Sequence, residues 1–154
     1  MKFISILTIL FFLIDGTNDV PDFQFEAADG SIITKENLEE GKPIIIFYFD
    51  PEYTSSIDQA DFIYWGEEDY VDINILWVST ADHDLNSEFL EDNFSELDLP
   101  LIRVVKDTQN KFEDWFGYAE VPTTYVYDNE WKFADRFLRV ENTEELLRNI
   151  RKDD

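Results

Sequence analysis

The chain has 154 residues, 35 of them acidic and 12 basic, for a net charge of −23. It contains no cysteine and a single histidine, His83, which excludes cysteine-bound zinc, iron–sulfur clusters, thiol catalysis and histidine-rich metal sites. So acidic a chain offers no basic patch for free nucleic acid and is repelled by anionic lipid.

The length suits one domain, and 44% hydrophobic with 16% aromatic residues argues for a packed core and against disorder. The charge is uneven. Residues 43–102 hold 15 acidic groups and no Lys or Arg. That third of the chain presents a strong negative field, which serves either as a solubilising face or as a dock for a cationic partner.

The chain opens with Lys2 and an apolar run from Phe3 to Ile14, broken by Asp15 and Gly16. This is the pattern of a secretory signal. Twelve helical residues span about 18 Å, well short of a hydrocarbon core of roughly 30 Å. Residues 1–20 are therefore expected to be a signal peptide or N-terminal hydrophobic segment, and residues 21–154 the folded domain. An exported location, periplasmic or cell-envelope associated, follows; the alternative is a cytoplasmic protein whose apolar run is buried.

Strand and helix signals then alternate. Asp22–Thr34 holds F-Q-F and I-I-T around a glycine turn, a hairpin pattern. Lys35–Gly41 suits a short helix with a glycine stop. Pro43–Phe49 is a continuous apolar run, expected as a strand covered on both faces. Ser56–Tyr70 has helical spacing through Ile57, Ala60, Ile63, Tyr64 and Trp65. Ile73–Val78 predicts a second buried strand and Leu85–Phe94 a helix. Leu101–Val105 predicts a third strand and Asn110–Phe116 a short helix. Thr123–Tyr127 and Lys132–Leu138 flank Asp128-Asn129-Glu130, a second hairpin pattern. Asn142 is placed to cap a last helix over Thr143–Lys152. The expected fold class is α/β, with parallel pairings in the middle and an antiparallel portion at the end.

Four stretches in this order match a known pattern. They are Pro21-Asp22-Phe23 with Asp29-Gly30-Ser31; Gly41-Lys42-Pro43 running into Ile44–Phe49; Gly117–Thr124, which contains Val121-Pro122-Thr123; and Tyr125–Lys132. Together they resemble the thioredoxin-like superfamily, in particular its exported TlpA/ResA-like, redoxin-type branch. The resemblance implies a central mixed sheet flanked by helices, with an N-terminal β-hairpin extension. It also implies a thiol–disulfide oxidoreductase, and there the sequence departs. A family member reads approximately F-x-x-P-x-C-x-x-C after its first core strand. Here Phe49-Asp50-Pro51-Glu52-Tyr53-Thr54-Ser55-Ser56 stands in its place. Tyr53 and Ser56 occupy the two cysteine positions.

A phenol and an alkyl hydroxyl cannot be cycled through a thiol–disulfide couple. No residue is expected to be catalytic. Ser56 is expected to cap the following helix, with Thr54 and Ser55 as alternatives. The resemblance implies a cis Pro122 whose loop leaves the Val121 backbone free to pair with an extended peptide. The expected function is redox-inactive binding of a protein or extended peptide, basic in character, in a groove formed by Pro51, Tyr53, Val121, Pro122 and Thr123. The alternatives are an accessory subunit working through its acidic surface and an enzyme with non-thiol chemistry. No cofactor and no metal are expected. Asp82-His83-Asp84 reads as a solvated turn rather than a metal triplet. Asp50, Glu52, Asp58 and Asp61 lack the spacing of a calcium loop. Tyr64, Trp65, Trp77, Trp115 and Phe116 read as core.

Overall fold

The computed structural model describes residues 19–65, 70–94 and 102–150. The apolar run of residues 3–14 lies outside the described residues.

A hairpin opens the domain, β1 (Phe25–Ala27) and β2 (Ile32–Ile33). Its turn depends on Gly30, whose φ of +81° is open to glycine and strained for other residues. The Asp29 side chain holds the same turn by accepting the Ser31 N–H at 2.9 Å. Where a short helix over Lys35–Gly41 is expected, one 3₁₀ turn forms at Lys35–Asn37.

The core elements follow: β3 (Ile44–Phe49), α1 (Thr54–Trp65), β4 (Asn74–Ser79), α2 (His83–Phe94), β5 (Ile102–Lys106), α3 (Phe112–Phe116), β6 (Thr123–Tyr127), β7 (Phe133–Phe137) and α4 (Thr143–Ile150). The seven strands make one sheet in the order β2-β1-β5-β4-β3-β6-β7. The pairs β3–β4 and β4–β5 are parallel; β3–β6, β6–β7, β1–β5 and β1–β2 are antiparallel. This is the expected α/β class with a mixed sheet and an N-terminal hairpin.

The continuous apolar run of β3 has a direct cause, since helices cover both of its faces. Ile45, Phe47 and Phe49 point to one side, where Trp77 of β4 meets Ala60 and Ile63 of α1, Phe89 and Phe94 of α2, and Leu146, Leu147 and Ile150 of α4. Ile44 and Ile46 point to the other, with Phe23, Phe25, Phe112 and Tyr125. The period of two along a strand thus separates two aromatic-rich cores. Tyr64 packs against the first core, and Trp115 and Phe116 against the second. The side chain of Trp65 lies outside the described residues. Asp19 and Val20, which the sequence assigns to the N-terminal segment, pack with the domain. Val20 is buried and its N–H donates to the Trp131 carbonyl at 2.9 Å.

Two polar devices fix the helices that frame the end of β3. Asn142 caps α4 as expected, accepting the Glu145 N–H at 2.9 Å. Gln59 of α1 is buried, and its amide both donates to the Val140 carbonyl and accepts the Val140 N–H. A side-chain amide here completes the hydrogen bonds of a buried peptide unit that no strand pairs. Val140 lies between β7 and α4, so one side chain pins that loop to α1.

Replacing Gln59 by Leu keeps the volume but strands both Val140 groups. Each buried, unpaired group costs about 1–3 kcal/mol. Gln59→Leu should lower unfolding stability in urea by about 2 kcal/mol or more, whereas a surface substitution such as Glu91→Gln should leave it within about 0.5 kcal/mol. An unchanged midpoint in Gln59→Leu would show that the pair is not closed in solution.

Candidate functional site

The chain leaves β3 at Phe49 and turns before α1. Asp50 and Pro51 are suited to the first two positions of such a turn. The Tyr53 N–H donates to the Asp50 carbonyl at 3.1 Å, and the Glu52 N–H to Asp50 Oδ1 at 2.9 Å. Helix α1 begins at Thr54.

Ser56 therefore lies inside the first helical turn, and the expectation that it caps the helix is corrected. Its side chain is fully buried, and its Oγ accepts the Asp50 N–H at 3.2 Å. It closes the turn from within. Burial and that bond leave its hydroxyl no route to a substrate. Tyr53, three residues earlier, is 51% exposed. Of the two positions that carry cysteines in the resembled pattern, one thus faces solvent and the other the interior.

The second part of the site is the loop from α3 to β6. Gly117 ends α3 with a φ of +81°, and its N–H donates to the Glu113 carbonyl at 2.9 Å. The Glu113 side chain accepts the Ala119 N–H at 3.1 Å, and Arg136 of β7 donates to the Tyr118 carbonyl at 3.0 Å. The loop is thus held from both sides before it reaches Pro122. The Val121–Pro122 peptide bond is cis. Thr123 is buried, and its hydroxyl donates to the Glu120 carbonyl within the loop, so it does not face a groove. Val121 is half-buried, and among the described residues no hydrogen bond occupies its peptide groups.

Pro122 and Ser55 line one open groove of about 570 Å³. Asp58, Asp61 and Phe62 of α1 form one wall, and Leu138, Arg139 and Thr143 the other. Leu138 is 55% exposed, and Phe62 also reaches solvent. Asp58 and Asp61 stand one helical turn apart, the spacing at which side chains are neighbours. Burial, and then the Asp58 carboxylate, push the Asp61 carboxyl above the usual carboxylate range. Pro51 lies elsewhere, in a depression of about 380 Å³ between α1 and α2. Of the five residues expected to form one groove, Pro122 lines this one and Pro51 the other, on either side of the start of α1, while Tyr53, Val121 and Thr123 line neither.

Phe62 and Leu138 were not singled out from sequence, yet a signal was present. Phe62 lies off the apolar stripe of its helix, and Leu138 follows Phe137 directly, just past the end of β7. An apolar residue out of phase has no core to enter.

The acidic residues do not gather as ligands. His83 Nε2 lies 3.2 Å from Glu26 Oε1, while Asp82 pairs with Lys106, so Asp82-His83-Asp84 splits between two partners. His83 opens α2 rather than lying in a turn. Asp50 is engaged in its own turn, and Glu52 borders the hollow away from Asp58 and Asp61. Among the described residues no group of three or more His, Asp or Glu side chains could hold a metal ion.

No family model matches the sequence, and no curated protein matches it. The fold is similar to those of solved structures. MTB DsbF, in its mixed oxidized and reduced forms, is 19% identical with a TM-score of 0.67, covering 83% of this chain and 92% of its own. The thioredoxin domain of a thiol-disulfide oxidoreductase from Bacteroides vulgatus is 13% identical with a TM-score of 0.67, covering 84% and 92%. A secreted Mycobacterium tuberculosis disulfide oxidoreductase homologous to E. coli DsbE is 13% identical with a TM-score of 0.64, covering 79% and 86%. At these identities the likeness is one of architecture: the chain has a thioredoxin-like fold, and it has that fold without a cysteine.

Proposed function

We propose that this chain is a binding protein that takes an extended peptide segment against the Val121–Pro122 loop and performs no thiol chemistry. The observation that carries the reading is the shared groove of Ser55, Pro122 and Leu138, with unoccupied Val121 peptide groups beside it. A strand laid along the loop gains main-chain hydrogen bonds, and Phe62 and Leu138 give its side chains apolar contact. Asp58 and Asp61 favour a cationic residue in the segment. The like-charge pair is relieved when a lysine or arginine stands between them.

The chain cannot exchange disulfides, because the attacking group must be a thiolate and it has no thiol. On this reading Tyr53 and Ser56 stand where the resembled pattern has its two cysteines. A double variant, Tyr53→Cys with Ser56→Cys, puts an exposed thiol beside a helix start and a buried one three residues on. Helix starts lower thiol pKa values, and Cys-x-x-Cys at such a start is a spacing at which thiols pair. The natural chain should not reduce insulin above buffer, and the double variant should do so weakly. Turnover by the natural chain, or a folded double variant that forms no internal disulfide, would overturn this placement.

The binding reading is tested by fluorescence anisotropy with short extended peptides carrying an apolar residue beside either lysine or glutamate. The lysine peptides should bind more tightly, and Leu138→Asp should weaken them about tenfold or more, equivalent to about 1.4 kcal/mol. The ionised form of Asp61 is the one that attracts lysine. Its raised pKa means it takes up a proton sooner as pH falls, so affinity should begin to drop above the ordinary carboxylate range near pH 4. Asp61→Asn should remove that part of the pH dependence. Equal binding of both peptide classes, or affinity indifferent to Leu138→Asp, would end the proposal.

The reading extends to export. Lys2 and the apolar run of residues 3–14 have the signal pattern, and one similar structure is described as that of a secreted protein. Cell fractionation with N-terminal sequencing should find a chain in the exported fraction that starts between the apolar run and Asp19. A cytoplasmic chain that still begins at Met1 would refute it.

A further inference from the structure

The hollow on the other side of α1 lies between two helices, α1 and α2. Its floor is Ile57 of α1 and Phe89 of α2, and Leu85 stands on its wall, 40% exposed. Along α2, Leu85, Glu88, Phe89 and Asp92 follow one another at i, i+3, i+4 and i+7, the spacing of a single helix face. Glu52, before α1, adds a third carboxylate to the rim. Among the described residues, none of Glu52, Glu88 and Asp92 makes an ion pair; the cations that do pair are Lys35, Lys42, His83, Lys106 and Lys132. No Lys or Arg occurs anywhere in residues 43–102, so neither wall has a cation of its own to supply.

We infer that this hollow is a docking site for a cationic amphipathic helix of a partner protein, separate from the Pro122 groove. The partner's apolar face enters over Ile57, Leu85 and Phe89, and its lysines or arginines meet Glu52, Glu88 and Asp92. Helical form follows from the walls. Both are helices whose backbone groups are already satisfied internally, so an extended chain finds no main-chain partner here and recognition falls to side chains at helical spacing. Cationic character follows from the rim. A second copy presenting the same face would bring six carboxylates together, and an anionic lipid or nucleic acid would be repelled.

The test uses the full chain and a labelled synthetic helix with leucine and lysine at i, i+3, i+4 and i+7. A peptide of the same composition, scrambled so that the leucines no longer align, is the control. The aligned helix should bind at least about tenfold more tightly than the scrambled one, and Leu85→Ser should remove about that factor. Glu88→Lys with Asp92→Lys should weaken binding by about tenfold or more, whereas Asp114→Lys with Glu130→Lys, an equal charge change elsewhere, should alter it by less than about threefold. Circular dichroism verifies the fold of each variant. Leu138→Asp, which disables the other groove, should leave the aligned helix unaffected, so the two proposals fail separately. Equal binding of the scrambled peptide, indifference to Leu85→Ser, or an equal effect of the distant charge pair would each reduce the attraction to net charge alone and overturn the site.

Discussion

The arrangement around the end of β3 depends on one buried amide. Gln59 satisfies both peptide groups of Val140, and the loop that follows β7 is thereby fixed against α1. Leu138 and Arg139 sit on that loop, and Asp58, Asp61 and Phe62 sit on the helix. The pair is thus a polar tie between the two walls of the Pro122 groove. Ser56 plays the matching part at the start of the helix, where its buried Oγ ties Asp50 into the turn. Both residues use side-chain hydrogen bonds to finish backbone that neither helix nor strand completes, a demand that burial makes strict.

Helix α1 consequently has two open sides. One borders the groove with Pro122, the other the hollow with α2. In a protein with thiols, the exposed and buried positions at the start of such a helix support bond exchange. Here tyrosine and serine fill them, and what the surroundings retain is shape, apolar contact and charge. On the function proposed above these serve recognition, because they discriminate between partners without breaking a covalent bond. The absence of basic residues from 43 to 102 acts on both sides at once, since both are lined largely from that segment.

Much of the fold was legible in the sequence for a simple reason. Strands covered on both faces are written as unbroken apolar runs, and Pro43–Phe49 and Ile73–Val78 fall close to β3 and β4. The start of α4 was legible through Asn142, whose cap acts over three residues. Interactions that join distant residues were not legible. Gln59 and Val140 are 81 positions apart, and nothing local marks a glutamine as buried. A serine near a helix start is a cap at one position and a turn clasp three positions later, which is where Ser56 stands. Trp131 is similar. It keeps a positive φ of 61°, while its indole N–H donates to the Lys42 carbonyl at 2.9 Å. The cost of that backbone, about 1–2 kcal/mol, is borne for a tether that sequence spacing does not reveal.

The sheet also ends in a particular way at each side. β2 is only two residues long. β7, the opposite margin, carries Asp135 and Arg136, and its approach is bridged by Asp19 through Lys132. Short or charged margins make poor templates for another sheet, the usual route by which strand proteins polymerise or clump. The unpaired hydrogen-bonding rows that every open sheet must leave are here either cut short or guarded. A molecule with such margins can therefore be kept at high concentration without the edges of its sheet seeking one another.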